Sequence, residues 1–106
     1  MQVEELALSF PEFEKFELIN QIIRAARSIS ANIAEGYGRF HFKESIQFYR
    51  IADGSLFELL DHLYVAKDNG YISQETFIMY QDQVYILNRQ INGFIAHTKK
   101  CIKKYI

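Results

Sequence analysis

Apolar residues recur at helical spacing along three long segments of the chain. In the first segment, steps of three and four residues join the apolar positions into one predicted stripe. The stripe consists of Phe16, Ile19, Ile23, Ala26, Ile29 and Ile33. Ser9 and Glu12 have capping-box spacing, and Pro11 suits a first helical turn. Gly36 and Gly38 are expected to end this helix, because glycine accepts a left-handed C-terminal conformation.

The second segment keeps the same steps without a miss and predicts a helix over residues 41–68, with a heptad pattern. Its stripe consists of Phe42, Ser45, Tyr49, Ala52, Leu56, Leu59, Leu63 and Ala66. Asn69 and Gly70 are expected to end it. Gly54 lies inside the helix and costs ~1 kcal/mol of propensity relative to alanine. We therefore expect another helix to pass close to Gly54.

The third segment predicts a helix that begins after Ser73, the expected N-cap, and runs nearly to the end of the chain. Its stripe consists of Phe77, Tyr80, Val84, Leu87, Ile91, Phe94, Thr98 and Cys101. The two connections are short, so successive helices should pack antiparallel. Residues 2–8 are a candidate helical stub, too short to form alone.

Many apolar residues lie outside these stripes. They are Phe10, Phe13, Ile22, Phe40, Phe48, Ile51, Phe57, Tyr64, Ile78, Ile86 and Ile95. A helix that is apolar on more than one face must bury more than one face. Three helices cannot bury all of these side chains within one subunit, so the pattern predicts an oligomer or a protein partner.

Composition narrows the class of protein further. A chain of 106 residues, 49% of them hydrophobic, predicts a single folded domain over residues 1–106. One cysteine excludes an internal disulfide framework and suits a reducing cytoplasm. No apolar run approaches the ~18 residues of a membrane span, and the first residues do not resemble a signal peptide. We expect a cytoplasmic protein that does not enter a membrane.

Charge is balanced overall but unevenly distributed. Twelve basic and thirteen acidic residues give a net charge of -1, which excludes a wholly basic nucleic-acid binder. Residues 21–53 carry a net +2 and residues 97–106 a net +4. These segments form either a basic patch or ordinary solvated and interface charges. The candidate nucleic-acid-binding residues are Arg24, Arg27, Lys43, Arg50, Lys99, Lys100, Lys103 and Lys104.

No constellation of residues predicts catalysis. Di-iron bundles carry Glu-x-x-His motifs, whereas Glu58 is followed by Asp61 at i+3 and His62 at i+4, and the chain contains no second copy. His97 and Cys101 supply two ligands where a structural zinc site needs four. The Gly36–Arg39 segment lacks the third glycine of a dinucleotide loop. We therefore expect no catalytic residue, no cofactor and no metal, and hence a protein that is not an enzyme.

Two motifs carry a family resemblance. Residues 21–39, QIIRAARSISANIAEGYGR, closely resemble the signature Q-x-x-R-A-x-x-S-I-x-x-N-I-A-E-G-x-G-R. That signature belongs to the bacterial four-helix-bundle family associated with intervening sequences of the 23S ribosomal RNA gene. Residues 51–58, IADGSLFE, resemble the family's second motif, I-A-x-G-S-x-x-E. The resemblance extends over about residues 10–96, including Phe10-Pro11 and the junction at residues 70–72.

The resemblance implies an all-α protein, an antiparallel up-down four-helix bundle that assembles into a ring-shaped homopentamer. It also implies association with ribosomal RNA or, in distant relatives, an accessory role beside a reverse transcriptase in diversity-generating retroelements. Family members have a full first helix before the Phe-Pro element, whereas nine residues precede Phe10 here. We therefore expect a shortened first helix, with three long helices plus a stub.

The polar residues of the two motifs are expected to meet. Ser28, Asn32 and Glu35 follow steps of four and three and share one helix face. Because buried polar groups need partners, we expect a network at a helix–helix or subunit junction, the alternative being a solvated polar face. The motif set is Gln21, Arg24, Ser28, Asn32, Glu35, Gly36, Gly38, Arg39, Gly54, Ser55 and Glu58.

Two hypotheses of function follow. The first is a non-enzymatic oligomer that binds structured RNA or another nucleic acid through its basic residues. The second is a protein–protein adaptor or scaffold, for example an accessory subunit beside a reverse transcriptase. Steep salt dependence of RNA binding is expected of the first and recovery of a protein partner of the second.

Overall fold

Three long helices make up most of the part of the chain that the structure describes. The computed structural model describes Val3, residues 15–39 and residues 41–105, and this part of the chain contains helices and no strands. The helices are α1 (Phe16–Gly38), α2 (Phe42–Asp68) and α3 (Gln74–Tyr105). The all-α prediction is confirmed, and the predicted boundaries of the second helix agree to within one residue.

Helix α2 lies between the other two. It packs against both α1 and α3, whereas no Cα atoms of α1 and α3 approach within 8 Å. Helices α2 and α3 are antiparallel, since Tyr49 contacts Phe94 and Tyr64 contacts Phe77. Helices α1 and α2 are antiparallel as well, since Ser28 meets Ser55 and Gly36 meets Tyr49. The radius of gyration is 15.8 Å and the extents are 54 × 22 × 16 Å. A compact chain of this length has a radius of ~13 Å, so the arrangement is elongated and displays long helix surfaces.

The predicted start of α3 and end of α2 are confirmed. The Ser73 hydroxyl accepts a hydrogen bond from the Thr76 N–H at 3.0 Å, which caps α3. Gly70 has φ of 77°, a left-handed conformation that favours glycine after α2. The prediction that Gly36 ends α1 is wrong, because α1 continues through Gly36 to Gly38.

The predicted stripe of α2 is the centre of the core. Seven of its eight members are buried, and Phe42 is partly buried. The predicted stripe of α3 is correct at Phe77, Tyr80, Val84, Ile91 and Thr98, which are all buried. Phe94 is a correction, because 43% of it is exposed although its ring contacts that of Tyr49.

The predicted stripe of α1 is rotated from the observed one. The buried positions are Ile22, Ala25, Ile29 and Gly36, whereas Phe16 is 61% exposed. Four predicted members are partly buried, namely Ile19, Ile23, Ala26 and Ile33. The helix is apolar on two adjacent faces, and the deeply buried face includes small residues. A prediction made from large side chains alone therefore selects the less buried of the two apolar faces.

The beginning of the chain is represented by Val3, which is helical and fully buried in the core. The rest of the predicted stub, the Ser9–Glu12 capping box and the apolar residues Phe10, Phe13 and Phe40 lie outside the described residues. The stub and the fourth helix therefore stay predictions. None of the three described helices is long and apolar enough to cross a membrane.

Candidate nucleic-acid interface

Part of the motif network joins α1 to α2. The hydroxyl oxygens of Ser28 and Ser55 are 2.7 Å apart. The Asn32 side-chain amide donates to the Ser28 carbonyl oxygen at 2.8 Å and to the Ser28 hydroxyl at 3.1 Å. These three residues come together as expected, half-buried at the helix–helix junction. Each hydroxyl therefore keeps a hydrogen-bond partner after water is excluded.

Other motif residues form a separate surface network at the α1–α2 connection. Arg39 donates to the Glu35 carboxylate at 2.9 Å and lies 3.9 Å from the Glu44 carboxylate. Its guanidinium also lies 4.9 Å from the centre of the Phe48 ring. These groups are half-exposed, so solvent screens the ion pairs and each contributes little stability.

Glu58 and Arg24 do not join the serine network, and that expectation is wrong. Glu58 lies one turn from His62 and their side chains are 3.3 Å apart. Arg24 is exposed and pairs with no other residue that the structure describes. Gln21 is likewise exposed. The outward side of the motif is a polar surface with an unpaired arginine.

Gly36 of α1 and Gly54 of α2 differ in their surroundings. A Cβ atom on Gly36 would lie 2.7 Å from Cε1 of Tyr49 and 3.1 Å from the Ser45 carbonyl oxygen. Gly36 is therefore where α1 and α2 approach closely. Gly54 is exposed and a Cβ there would meet nothing within 4 Å, so the expected close helix at Gly54 is not found.

A polar link between α2 and α3 was missed by the sequence analysis. The Asn88 amide donates to the Asp53 carboxylate at 2.7 Å. Each residue lies one position beside the apolar stripe of its helix. A polar residue next to an apolar stripe is a sequence signal for such a contact. The signal does not identify the partner of each polar residue on the neighbouring helix.

Tyr49 is the common neighbour of two exposed aromatic rings. It is buried against Gly36, and its ring centre lies 5.6 Å from that of Phe94. Burial raises the pKa of the Tyr49 hydroxyl above its ordinary value, and nearby Tyr37 raises it further. Tyr37 is 84% exposed, the highest fraction among the large hydrophobic residues described. We call Tyr37, Tyr49 and Phe94 the aromatic cluster.

Most of the predicted cations lie at the same end of the molecule as this cluster. Because Tyr49 contacts Phe94, the beginning of α2 lies beside the last third of α3. We call this the basic end, and it contains Lys43, Arg50, Lys99, Lys100, Lys103 and Lys104. Arg24 and Arg27 lie instead near mid-bundle, in the turn of α1 that precedes Ser28, the residue that meets Ser55. The structure therefore brings six of the eight candidates toward one end.

The last part of α3 carries positive charge without acidic neighbours. Residues 83–106 contain five lysines and arginines and no aspartate or glutamate. Arg89, which the sequence analysis did not select, belongs to this segment. Arg50 and Arg89 form no ion pair with any other described residue. A segment with this charge attracts anions.

A polar cleft of about 490 Å³ opens at the α1–α2 connection. Its lining residues are Ala34, Glu35, Gly38, Arg39, His41 and Glu44. Across the described residues there is no group of three or more His, Cys, Asp or Glu side chains that could hold a metal ion. His97 and Cys101 lie 3.7 Å apart on α3, a pair without further ligands among these residues.

The surface toward the α2–α3 turn is apolar. Several large side chains on α2 and α3 are 39–49% exposed there. We call them the apolar face: Phe57, Tyr64, Val65, Ile78, Met79, Tyr85 and Ile86. The prediction that surplus apolar residues stay exposed in one subunit is confirmed for Phe57, Tyr64, Ile78, Ile86 and, on the neighbouring side of α2, Ile51. It is wrong for Ile22, which is fully buried in the core, and Phe48 and Ile95 are partly buried.

These features define an elongated all-helical protein with a polar motif at one helix junction and a basic end. The chain belongs to the 23S rRNA-intervening sequence protein family, whose model matches residues 1–93. Phe94 and the four lysines of residues 97–106 lie beyond the matched part. The family resemblance read from the two motifs is therefore confirmed.

A solved structure agrees with the fold. The chain is similar to a protein of unknown function from the S23 ribosomal protein family of Bacteroides thetaiotaomicron, with a TM-score of 0.74. The two share 23% identity, and the alignment covers 88% of this chain and 97% of the other. At that identity the likeness shows the fold. No curated protein matches the chain.

Proposed function

We propose that this protein is a non-enzymatic, cytoplasmic, oligomeric four-helix-bundle protein that binds structured RNA through its basic end. The observation that carries the proposal is the acid-free segment 83–106, with five cations beside Lys43 and Arg50 of α2. Phosphate groups are the complementary ligand for such a surface, because their neutralisation releases counterions from the nucleic acid. The family's link to 23S ribosomal RNA supports RNA as the polyanion.

The oligomer is proposed to be a homopentamer, as the family resemblance implies. The apolar face supports self-association, because its exposed side chains recur on α3 at residues 78, 79, 85 and 86. A seven-residue spacing keeps such side chains on one side of a helix. A ring of copies would also multiply the phosphate contacts that one basic end supplies.

RNA binding is tested by fluorescence anisotropy with a labelled hairpin over a range of salt concentrations. The double variant Lys99→Gln/Lys100→Gln should weaken binding and reduce the slope of log K against log salt by about 0.7–0.9 per lost contact. Lys67→Gln is the matched control, since it removes a lysine at the opposite end of α2. Salt-independent binding, or no binding by the unaltered chain, would overturn the proposal.

Oligomerisation is tested by light scattering at low and high salt, after removal of nucleic acid. Ile86→Lys introduces a charge on the apolar face and should convert a pentamer-sized particle to smaller species. Gln90→Lys, one turn further on α3 and exposed, is the control and should leave the mass unchanged. A monomeric unaltered chain would contradict the pentamer.

The apolar face also favours a second candidate, a protein–protein adaptor such as an accessory subunit beside a reverse transcriptase. In that case the same face binds a different protein, and the purified chain alone binds RNA weakly. An Ile86→Lys variant would then lose a partner that co-purifies with the unaltered chain while its own mass stays constant. Ile86→Lys therefore distinguishes the two candidate functions. It lowers the particle mass of a homo-oligomer, whereas it removes the co-purifying partner of an adaptor.

A further inference from the structure

The basic end presents exposed aromatic rings among its cations. Tyr37 is 84% exposed at the end of α1, and Phe94 is 43% exposed on α3. Phe94 packs on Tyr49, whose ring lies against Gly36, and Tyr37 directly follows Gly36 on α1. Exposure of a ring to this extent is not explained by the core of the subunit. Lysines alone suffice to attract phosphates, so the exposed aromatic rings indicate a contact with a different part of the ligand.

One stripe of α3 continues from Phe94 toward the end of the chain. Phe94, His97, Cys101 and Lys104 follow steps of three, four and three residues, so they share a helix face. Lys100 lies one turn from both His97 and Lys104. The stripe therefore passes from an aromatic ring to ammonium groups over about three turns, or roughly 15 Å of helix.

The lysines of this segment also repel one another. Lys99 and Lys103 are four residues apart on a helix, a spacing that disfavours like charges. No carboxylate lies between residues 83 and 106 to relieve the repulsion within the segment. A bound polyanion relieves it, which argues for a nucleic acid rather than an apolar protein segment as the occupant of this end.

We propose that the aromatic cluster is a stacking site for unpaired nucleotides of RNA, with bases on Tyr37 and Phe94 and an adjoining phosphate on Lys100. This inference rests on the proposed function and specifies the form of RNA. Bases in a duplex are already stacked, and a side chain cannot reach their faces. Loops and bulges offer splayed bases, and every base has a π-face that an aromatic side chain can cover.

The arrangement places the two kinds of contact in their usual roles. Lysines track the backbone without regard to sequence, and aromatic rings distinguish single-stranded from paired segments. The cleft beside Arg39 and His41 lies at the same connection and offers carboxylate and guanidinium groups to a base edge. The site therefore selects a hairpin with an unpaired loop over the corresponding blunt duplex.

The test compares two labelled RNAs, a hairpin with an unpaired loop and a duplex with the same stem sequence. Tyr37→Ala should lower hairpin affinity about 5- to 150-fold, the effect expected of one lost base–aromatic stack, and leave duplex affinity unchanged. Tyr37→Phe keeps the ring and should retain hairpin affinity. Tyr85→Ala removes an exposed tyrosine of the apolar face and is the matched control. Circular dichroism verifies that each variant is folded.

The outcomes separate this inference from the proposed function. If Lys99→Gln/Lys100→Gln weakens binding of both RNAs and Tyr37→Ala weakens hairpin binding alone, the stacking site stands. If the lysine variant weakens binding while Tyr37→Ala and Phe94→Ala do not, RNA binding stands and the stacking site is wrong. If the unaltered chain binds neither RNA, the proposed function fails and the stacking site fails with it.

Discussion

Gly36 of α1 and Tyr49 of α2 are in a contact that leaves no room for a side chain on the glycine. A Cβ at position 36 would lie 2.7 Å from Cε1 and 2.9 Å from Cδ1 of the tyrosine ring. Tyr49 also packs on Phe94 of α3. The glycine therefore positions the ring that links all three helices, and through it the exposed members of the aromatic cluster.

We expect Gly36→Ala to destabilise the protein. The methyl group forces the Tyr49 ring to move, at a cost of about 1–3 kcal/mol for overpacking, which the gain of ~1 kcal/mol in helix propensity offsets in part. Gly54→Ala is the control, because a Cβ there meets nothing within 4 Å and should stabilise the helix. Urea unfolding followed by circular dichroism measures both. Equal midpoints for the two variants would contradict the close contact.

The Ser28–Ser55 hydrogen bond predicts energetic coupling between α1 and α2. Ser28→Ala and Ser55→Ala should each cost about 1 kcal/mol, because each removes the hydrogen bond between the two hydroxyls. The double variant should cost less than the sum of the two, with a coupling of about 0.5–1.5 kcal/mol. A double-mutant cycle in urea measures it. Ser30→Ala, at an exposed position of the same helix, is the control, and strictly additive losses would refute the coupling.

Sequence periodicity predicted the helices well and the orientation of α1 less well. The stripe of α2 is continuous because this helix is covered on two sides, so a single pattern from Phe42 to Ala66 suffices. Helix α1 has two adjacent apolar faces, and the more buried one includes Ala25 and Gly36. Small residues are buried where backbones approach, and a search for large apolar side chains passes over them.

The candidate site was predictable from the sequence only where residue spacing within a helix determines it. The steps between Ser28, Asn32 and Ser55 follow from motif and helix spacing, and those residues meet. Which cations gather depends on the antiparallel register of α2 and α3, which sequence spacing alone does not give. The register places Lys43 and Arg50 with the α3 lysines and leaves Arg24 near mid-bundle. It also brings Tyr49 to Phe94, a contact between residues 45 positions apart.

Tyr49 predicts a loss of stability in alkali. Burial first, and Tyr37 second, raise the pKa of its hydroxyl above 10.0. The folded chain therefore keeps the proton at a pH where the unfolded chain releases it. This contribution to the free energy of unfolding is fully present below about pH 10, the ordinary tyrosine pKa, and declines as the pH rises toward the folded-state value.

Tyr49→Phe has no proton to lose at this position, so its stability should fall less steeply than that of the unaltered chain in alkali. Urea midpoints at about pH 8 and about pH 11, on either side of the ordinary tyrosine pKa, measure the difference. Tyr64→Phe, at a half-exposed position, should follow the unaltered chain. Parallel curves for Tyr49→Phe and the unaltered chain would show that burial does not retain the Tyr49 proton.

The Asn88–Asp53 hydrogen bond predicts that α3 depends on a polar contact beside its apolar stripe. Asn88→Ala removes the donor that lies 2.7 Å from the Asp53 carboxylate and leaves that carboxylate half-buried. A hydrogen bond to a charged group contributes about 1.5–3 kcal/mol, and alanine's higher helix propensity returns a few tenths. We therefore expect a net loss of about 1–2 kcal/mol. Gln90→Ala, at an exposed position of the same helix, should change the free energy of unfolding little. Amide hydrogen exchange should show the loss as faster exchange in the middle of α3, and unchanged exchange there would show that the apolar stripe alone holds α3 on α2.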